Sequence, residues 1–480
     1  MSRQDVLEGF EFPAADRAKW LALVKSAKGG VQSENDLVSR TDDGIEINPL
    51  IVRDADAPQL ARRQPDLPWT VVQRVDDPDP ARANAQAHQD LAEGATGLAL
   101  VFEGAPNAFG YGLPATPEAL ETVLDGIQLN RTHLRIDVHP SSRAMADWLV
   151  GLLTRQGADP SKLSLCFGID PAAIFAGTGR LAMSIEALQA SMPQSLAHFF
   201  AIGIPGVLLE ADGRVFHNAG ATEAQELGAI IASAVAHLRL FEGARQALVH
   251  APPHLGFAVS VDQDQFVSTA KIRALRKLWA RVQTLCSISP VAATIHAETS
   301  YRMMTVADPE TNILRSTIAG FAAAVGGADS ISILPHTITH GLPESFARRV
   351  ARNAQLIMAS ESRLDFVSDP ASGSGSVESL TDELCSAAWK EFQTIEIEGG
   401  ILKSLADGHI QRRVRDAGEA RARRYRDGGG QIVGTTLYPA ASERQVRTLE
   451  AARRPLPTDG AVFCDRIDPR RIDETLGDAR

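Results

Sequence analysis

The stretch "GLALVFEGAPNAFGYGLPATPEALETVLDGIQLNRTHLRIDVH", residues 97–139, decides the fold. It begins and ends with a short apolar run typical of a strand, and "PEALETVLDGI" between them is typical of a helix. Strand, helix and strand in this order form the repeating unit of a parallel sheet. Eight such strand-like runs occur: "GLALVF" (97–102), "LRIDVH" (134–139), "LSLCFGI" (163–169), "GVLLEA" (206–211), "GFAVSV" (256–261), "VAATIH" (291–296), "SISILP" (330–335) and "LDFVSD" (364–369).

Roughly eight strand–helix repeats over ~300 residues predict an α/β fold, the (β/α)8 or TIM barrel. An open doubly wound sheet is the alternative. It is disfavoured because a Gly-rich phosphate turn at a first strand–helix junction does not occur.

Segments outside the repeats predict an extension at each end of the barrel. "AADRAKWLALVKSAKG" has the spacing of an amphipathic helix, and "LVSRTDDGIEINPLIV" alternates like a hairpin around residues 42–44. "HIQRRVRDAGEARARRYRDGGG" predicts an exposed helix, "IVGTTLY" a strand, and "ERQVRTLEAARRPLP" a helix broken by proline. We therefore divide the chain into an N-terminal extension (1–66) that could contact a partner, a barrel (67–396) and a C-terminal helical linker (397–480).

The composition of the 480 residues excludes several classes of protein. A net charge of -11 and a pI of about 5.6 disfavour a nucleic-acid partner. The cysteines, Cys166, Cys286, Cys385 and Cys464, form no Cys-x-x-Cys pair, and we expect small, buried thiols in a reducing compartment. No apolar signal core or membrane-spanning run occurs, so we expect a cytoplasmic protein without a membrane partner.

Polar residues near the carboxyl ends of the predicted strands are the first candidates for chemistry, because barrel active sites lie at those ends. They are Glu103, His139, Asp170, Glu210, His217, Asp262, His296, Glu298 and Asp369. Asp262 and Asp369 are better explained as caps of helices or loops. "DVH" (137–139) and "IHAE" (295–298) lack a metal-ligand spacing, so no metal site is predicted.

Several longer stretches resemble the methylmalonyl-CoA mutase family of adenosylcobalamin-dependent acyl-CoA mutases. They are "PWT" (68–70), "AKIRALRKLWARV" (270–282), "ADPETNILRSTIAGFAAAVGGADSI" (307–331), "ARRVARNAQLIMASESRL" and "DPASGSGSVESLTDELCSAAW". The likeness covers about residues 10–450. It implies a barrel with coenzyme A along its axis and a cobalamin held by a C-terminal flavodoxin-like domain.

The resemblance also implies where this chain departs from the catalytic members. The Asp-x-His-x-x-Gly motif of the flavodoxin-like domain is missing, so adenosylcobalamin is expected to be bound by a partner chain and not by this one. Gln64 stands where the family has its active-site tyrosine. Thr178 and His254 stand at the places of two arginines, the first of which holds the substrate carboxylate in the family.

The general acid of the family falls near "FHNAG" (216–220) in this sequence. Aligned without gaps on Ala219-Gly220, His217 takes the place of a glutamine, and Val215 that of the histidine. We interpret His217 as a relic or a packing residue, although a two-residue deletion would return it to the site. His296 and Glu298 remain candidate substrate contacts.

Losing the tyrosine, both arginines and the cobalamin domain together is typical of the family's small (β) subunit. The expected function is that of a catalytically silent barrel. It would stabilise a cobalamin-carrying large subunit that interconverts methylmalonyl-CoA and succinyl-CoA. The alternative is a catalytic acyl-CoA mutase barrel that uses adenosylcobalamin held by a separate small subunit, with an acyl-CoA bound here.

Overall fold

The computed structural model describes residues 16–27, 33–60, 67–439, 445–456 and 458–476. Eight parallel strands close into a barrel in which each strand pairs with the next along the chain, and Ser330 of the last pairs with Thr70 of the first. The strands are β1 Thr70–Val75, β2 Gly97–Leu100, β3 His133–Ile136, β4 Ser164–Ile169, β5 Val207–Asp212, β6 Leu255–Val261, β7 Thr294–Thr299 and β8 Ser330–Ser332. The predicted (β/α)8 class is confirmed.

Helices surround the barrel and fill the connections between its strands. In the described chain they are α1 Arg17–Ala27, α2 Pro80–Ala92, α3 Pro117–Leu124, α4 Ser142–Arg155, α5 Pro171–Thr178, α6 Ile185–Ala201, α7 Arg214–Ala219, α8 Glu223–Gly243, α9 Gln265–Leu285, α10 Thr311–Gly326, α11 Ser345–Leu356, α12 Gly375–Ile397, α13 Ile401–Ala406 and α14 His409–Arg426. Several begin at a capping side chain: Asp170 accepts from the amide of Ala172, and Asp264 accepts from that of Val267.

The alternation of each strand sorts its side chains between the helices and the barrel axis. On β3, Leu134 and Ile136 belong to the core cluster that packs against the helices. Arg135, between them, is 1% exposed and bonds to the side chain of Glu210 on β5, so it points inward. The barrel therefore has an apolar outer layer and a charged interior.

The N-terminal hairpin was predicted correctly. Ser39 pairs with Ile47 and Arg40 with Glu46, around a turn in which Gly44 has a φ of +74°. The turn contacts the barrel, since Asp43 accepts from the amide of Ala224 at the start of α8 at 3.3 Å. Burial raises the pKa of Asp43 to about 6.

The predictions for the barrel strands contain one omission and one error. β1 was missed because Gln73 and Arg74 interrupt its apolar run. "LDFVSD" was predicted as a strand and is wrong: residues 364–369 form turns and bends, and Phe366 and Val367 are 58% and 50% exposed. The apolar letters of that run therefore lie on the surface.

The C-terminal helix prediction is confirmed by α14, but two later predictions are wrong. "IVGTTLY" forms only an isolated bridge between Val433 and Leu437. The described part of "ERQVRTLEAARRPLP" is extended, with a two-residue strand at Thr448–Leu449. The backbone partners of this segment lie in the barrel loops, so tertiary pairing overrides its helical pattern.

We call residues 448–456 and 458–476 the C-terminal strap, because they run along the loops at the carboxyl ends of the strands. Its backbone contacts are, in order, Leu449 with Leu342 after β8, Arg454 with Gly110 after β2, Val462 with Leu181 after β4, Arg470 with Asn218 after β5, and Ile472 with Arg302 after β7. The strap thus touches loops that follow five of the eight strands.

Among the described residues, none of the helices combines the length and apolar character that a bilayer crossing requires.

Candidate functional site in the barrel interior

Three arginines hold the centre of the barrel. Arg74 lies on β1, Arg135 on β3, and Arg214 at the first position of α7, directly after β5. Each of the three is no more than 2% exposed. The alternation of β1 and β3 directs Arg74 and Arg135 to the axis, and Arg214 lies there too because it binds Asp137 and Glu298.

Carboxylates on alternate strands pair with these arginines. In the interior network, Arg135 binds Glu210 and, at 3.2 Å, Asp137; Arg214 binds Asp137, Asp212 at 2.6 Å and Glu298 at 3.2 Å; Arg74 binds Asp76 at 2.7 Å and Glu298 at 3.6 Å. The side chain of every residue in this network is at most 3% exposed to solvent. The charged interior is thus a connected set of ion pairs between β1, β3, β5 and β7.

The network separates the pKa values of its carboxylates. Burial would raise the pKa of Asp137, but Arg214, Arg135 and Arg74 hold it at about 2. Burial raises the pKa of Asp212 to about 6 against the opposing effect of Arg214, with Asp137 and Glu210 adding repulsion. Asp137 is therefore the ionised partner that the arginines share.

His296 and Glu298, two predicted site residues, both lie in this interior. Glu298 joins Arg214 to Arg74, as described above. His296 on β7 bonds through Nδ1 to the hydroxyl of Ser330 at 2.9 Å, while its Nε2 is buried with no hydrogen-bond partner among the described residues. Burial, with Arg135 and Arg214 nearby, lowers the pKa of His296 well below its ordinary value, so the ring is neutral.

His217 lies in a second buried network, at the end of α7. Its Nδ1 is 3.1 Å from Glu226 Oε2, and its Nε2 is 2.9 Å from the hydroxyl of Ser300. The ring is fully buried. Both ring nitrogens therefore have partners within the protein, and neither is turned toward an open cavity.

Among the described residues, one group has the side chains of a metal site. Ligand atoms of His217, Glu223 and Glu226 lie within 4.8 Å of one another. However, the ammonium group of Lys271 binds Glu223 and lies 2.6 Å from Glu226 Oε2. Lys271 is fully buried, and it and Arg302 hold the pKa of Glu223 well below its usual value against the effect of burial. The cation of this cluster is thus supplied by the chain itself.

Thr178 and His254, which the family resemblance selected, do not belong to these two networks. Thr178 ends α5, and its hydroxyl donates to the carbonyl of Ile174 at 2.6 Å. His254 precedes β6, at the opposite end of the barrel from His217, and its Nδ1 lies 2.9 Å from the carbonyl oxygen of Gly206. Gln64 lies outside the described residues.

The sequence reasoning missed Arg135, Arg214, Lys271 and Arg302. A signal for the first of them exists in "LRIDVH", where charged letters alternate with apolar ones. Lys271 and Arg302 carry no local signal, since their carboxylate partners lie 40 or more residues away along the chain. Arg214 has one local partner, Asp212, and its pairing with Glu298 spans 84 residues.

A cavity of about 740 Å³ opens beside the interior, at the carboxyl ends of β2, β3 and β4 and under the strap. Its wall is mixed, with Ile174 and Met192 on one part and Arg143, Arg180 and Arg454 on another. Arg180 pairs with Asp459 at 3.0 Å and Arg454 with Glu103 at 3.4 Å, and both carboxylates also line the cavity. Arg143 binds two hydroxyls, and we find no carboxylate partner for it among the described residues. The cavity suits an amphipathic anion.

Fold and site together define a (β/α)8 barrel protein with an ion-paired interior and a strap across its carboxyl-end loops. The family model described as methylmalonyl-CoA mutase matches residues 62–456. The chain belongs to the methylmalonyl-CoA mutase family, which is cobalamin-dependent.

Relatives of two kinds are similar to this chain. It is 36% identical to a methylmalonyl-CoA mutase small subunit of Streptomyces virginiae, over 93% of this chain and 74% of the relative. It is 34% identical to a probable small subunit of Mycobacterium bovis, over 87% and 69%. It is 25% identical to the Streptomyces virginiae large subunit, over 97% and 68%. The identity to the small subunit is thus higher by 11 percentage points within one organism.

The described residues do not fit a corrin placed over an open barrel axis. Arg135, Arg214 and Glu298 fill the axis, and the strap contacts the loops that such a group would approach. His217, which the resemblance places near the family's general acid, has both ring nitrogens hydrogen-bonded within the protein. We therefore derive no step through this cofactor.

Proposed function

We propose that this chain is the catalytically silent small subunit of a methylmalonyl-CoA mutase-type heteromer. It stabilises a large subunit that carries adenosylcobalamin and interconverts methylmalonyl-CoA and succinyl-CoA. The partner follows from the names of the small-subunit relatives and from the likeness to a large subunit. The acidic charge and the free cysteines agree with a cytoplasmic complex without nucleic acid.

The observation that carries the proposal is the ion-paired barrel interior. A substrate threaded along the axis needs room where Arg135 meets Glu210 and where Arg214 meets Glu298. Opening that room would separate buried charges, and leaving one partner of a buried pair alone costs about 3–5 kcal/mol. A barrel that keeps these pairs is therefore stabilised in the closed form.

The test is turnover of methylmalonyl-CoA by three samples: this chain, a family large subunit and their co-expressed complex, each with adenosylcobalamin. We expect no turnover by this chain alone and a higher melting temperature for the large subunit in the complex. Gln64→Tyr in this chain should restore nothing, because the axis stays filled. Turnover by this chain with only a free cobalamin-binding subunit would overturn the proposal.

A second candidate rests on the 740 Å³ cavity at the ends of β2–β4. A catalytic barrel that takes an acyl-CoA and borrows cobalamin from a separate small subunit would use Arg143 and Arg180 for an anionic group of the substrate. This candidate predicts that acyl-CoA binds the isolated chain and that Arg143→Gln weakens that binding. Calorimetric titration with methylmalonyl-CoA separates it from the silent subunit.

A further inference from the structure

A separate cavity of about 390 Å³ lies between α14 and the strap, above the turn at Gly220. Its wall contains more arginines than acids. The arginines are Arg302, Arg415, Arg421, Arg426, Arg466, Arg470 and Arg471, and the acids are Glu419, Asp468 and Glu474. A positively charged cavity is unexpected in a chain with a net charge of -11.

Most of these arginines are already neutralised. Arg302 binds Glu223 at 3.0 Å and Asp262 at 3.1 Å, and Arg421 binds Asp42 at 2.6 Å. In the same way, Arg471 binds Asp473 and Glu474, and Arg466 binds Asp468. Arg415 forms a long, exposed ion pair with Asp465, at 3.7 Å. These pairs build a rigid wall without consuming the whole positive charge.

Arg426 and Arg470 have no carboxylate partner in the part of the chain that the structure describes. The side chain of Arg426 makes one intrahelical contact, to the carbonyl of Ala422 at 3.4 Å. Arg470 is fixed through its backbone, whose amide donates to the carbonyl of Asn218 at 2.8 Å. Arg426 lies at the end of α14 and Arg470 on the strap, and both side chains line the cavity.

Gln411 on α14 also lines this cavity. It is 1% exposed, and its Nε2 donates to the carbonyls of Leu405 and Asp465. Its side chain also contacts the thiol of Cys464, and among the described residues its Oε1 is buried without a paired donor. Gln411 thus ties α14 to the strap and to the end of α13, which fixes the wall of the cavity.

We propose that this cavity binds the phosphate groups of a small metabolite, with Arg426 and Arg470 as the principal contacts. Guanidinium groups bind phosphate oxygens by paired, charge-assisted hydrogen bonds, and the volume lies within the range of small-molecule sites. The site is off the barrel axis, and it is independent of whether the barrel is silent. A pyrophosphate moiety occurs both in free nucleotides and in coenzyme A, so the chemistry is shared by two sources.

The experiment is calorimetric titration of the full chain with inorganic pyrophosphate, ADP and coenzyme A. We expect all three to bind, more weakly at higher salt. The double variant Arg426→Gln/Arg470→Gln should lose about tenfold or more in affinity, since it removes two charged donors. Both side chains are exposed and unpaired by carboxylates, so the variant should keep its melting temperature. Tighter binding of ADP or of coenzyme A identifies the natural source.

Arg281→Gln is the matched control, because Arg281 is an exposed arginine on α9 outside the cavity. It should bind pyrophosphate within about twofold of the parent chain. Two results would overturn the proposal. The first is no binding of any probe at roughly 10 mM, which is beyond the millimolar Kd of feeble binding. The second is equal losses in the double variant and in Arg281→Gln.

Discussion

At the scale of single residues, the charged side chains that point into the barrel determine what its interior can hold. An arginine inside a parallel barrel must find carboxylates on neighbouring strands, because an unpaired buried charge is very costly. Arg135 finds Glu210 on β5 and Asp137 on its own strand continuation. The pairing therefore fixes the relative position of β3 and β5 as well as the filling of the axis.

Arg135→Met should destabilise the protein by about 3–5 kcal/mol, because Glu210 would keep a buried charge without its arginine. Adding Glu210→Gln should recover part of this loss, with a coupling of about 1–3 kcal/mol between the two sites. Chemical unfolding of the two single variants and the double variant measures both quantities.

The control for that cycle is Arg155→Met. Arg155 pairs with Glu121 on the surface, where the two side chains are 59% and 49% exposed, so the loss should stay below about 1 kcal/mol. Equal losses for Arg135→Met and Arg155→Met would contradict the structural role of the interior network.

His139 should make the stability of the protein depend on pH. Its Nδ1 accepts from the amide of Ser141, and its Nε2 lies 2.8 Å from the carbonyl of Glu103, which fixes a neutral ring. Burial lowers the pKa of His139 to about 4 from 6.5. Its contribution is therefore present above pH 6.5 and is lost as the pH falls to about 4. The shift corresponds to an upper limit on the order of 3 kcal/mol.

Unfolding titrations between pH 7 and pH 4 check this expectation. His139→Asn should be less stable than the parent at pH 7 and should lose less stability on acidification. A parallel slope for His139→Asn and the parent would show that His139 carries none of it.

At the scale of elements, the contact of β3 with β4 depends on one glycine. Gly168 has a φ of +54°, and a Cβ there would collide with the carbonyl oxygen of Ile136. Gly157 has a similar φ of +62° with nothing within 4 Å of the same position. Gly168→Ala should therefore cost about 4 kcal/mol or more, and Gly157→Ala about 1–2 kcal/mol. Thermal unfolding of both variants separates backbone strain from collision, and similar losses would refute the collision.

The sequence pattern predicts those elements whose environment is set locally. Seven of the strands have an apolar run that is visible in the letters, and the hairpin has its turn at Asp43-Gly44. β1 was not predicted because its polar residue Gln73 is buried through bonds to Asp90 and to the carbonyl of Arg348. These partners are distant in the sequence, so the local pattern does not reveal them. The strap escapes for the same reason, since barrel loops supply its partners.

The candidate site is less accessible to sequence reasoning than the fold. Glu298 and His296 were selected because they end a strand, and both lie in the interior. The resemblance grouped Thr178 with His254, but one bonds within α5 and the other bonds at the opposite end of the barrel. Ion pairs between residues 75 to 84 positions apart, such as Arg135 with Glu210 and Arg214 with Glu298, require the closed barrel to become visible.

At the scale of the whole molecule, the strap and the ion-paired interior both hold the barrel closed. The strap holds the loops after β2, β4, β5, β7 and β8 through backbone hydrogen bonds, and the interior holds alternate strands by ion pairs. A barrel fixed at both its loops and its axis is suited to serve as a rigid surface for another subunit. It is poorly suited to open around a substrate.

The sharpest prediction at this scale is the effect of His217→Gln on the complex with a large subunit. In a silent barrel His217 serves to hold Glu226, Ser300 and, at 3.4 Å, Glu223 together, so the variant should lower the melting temperature and keep kcat within about twofold. In a catalytic barrel the loss of a general acid should lower kcat by about 10²–10⁴-fold. Ser300→Ala removes the Nε2 partner while keeping the imidazole, and in a silent barrel it should behave like His217→Gln. A collapse of kcat with the complex still folded would assign the chemistry to this chain.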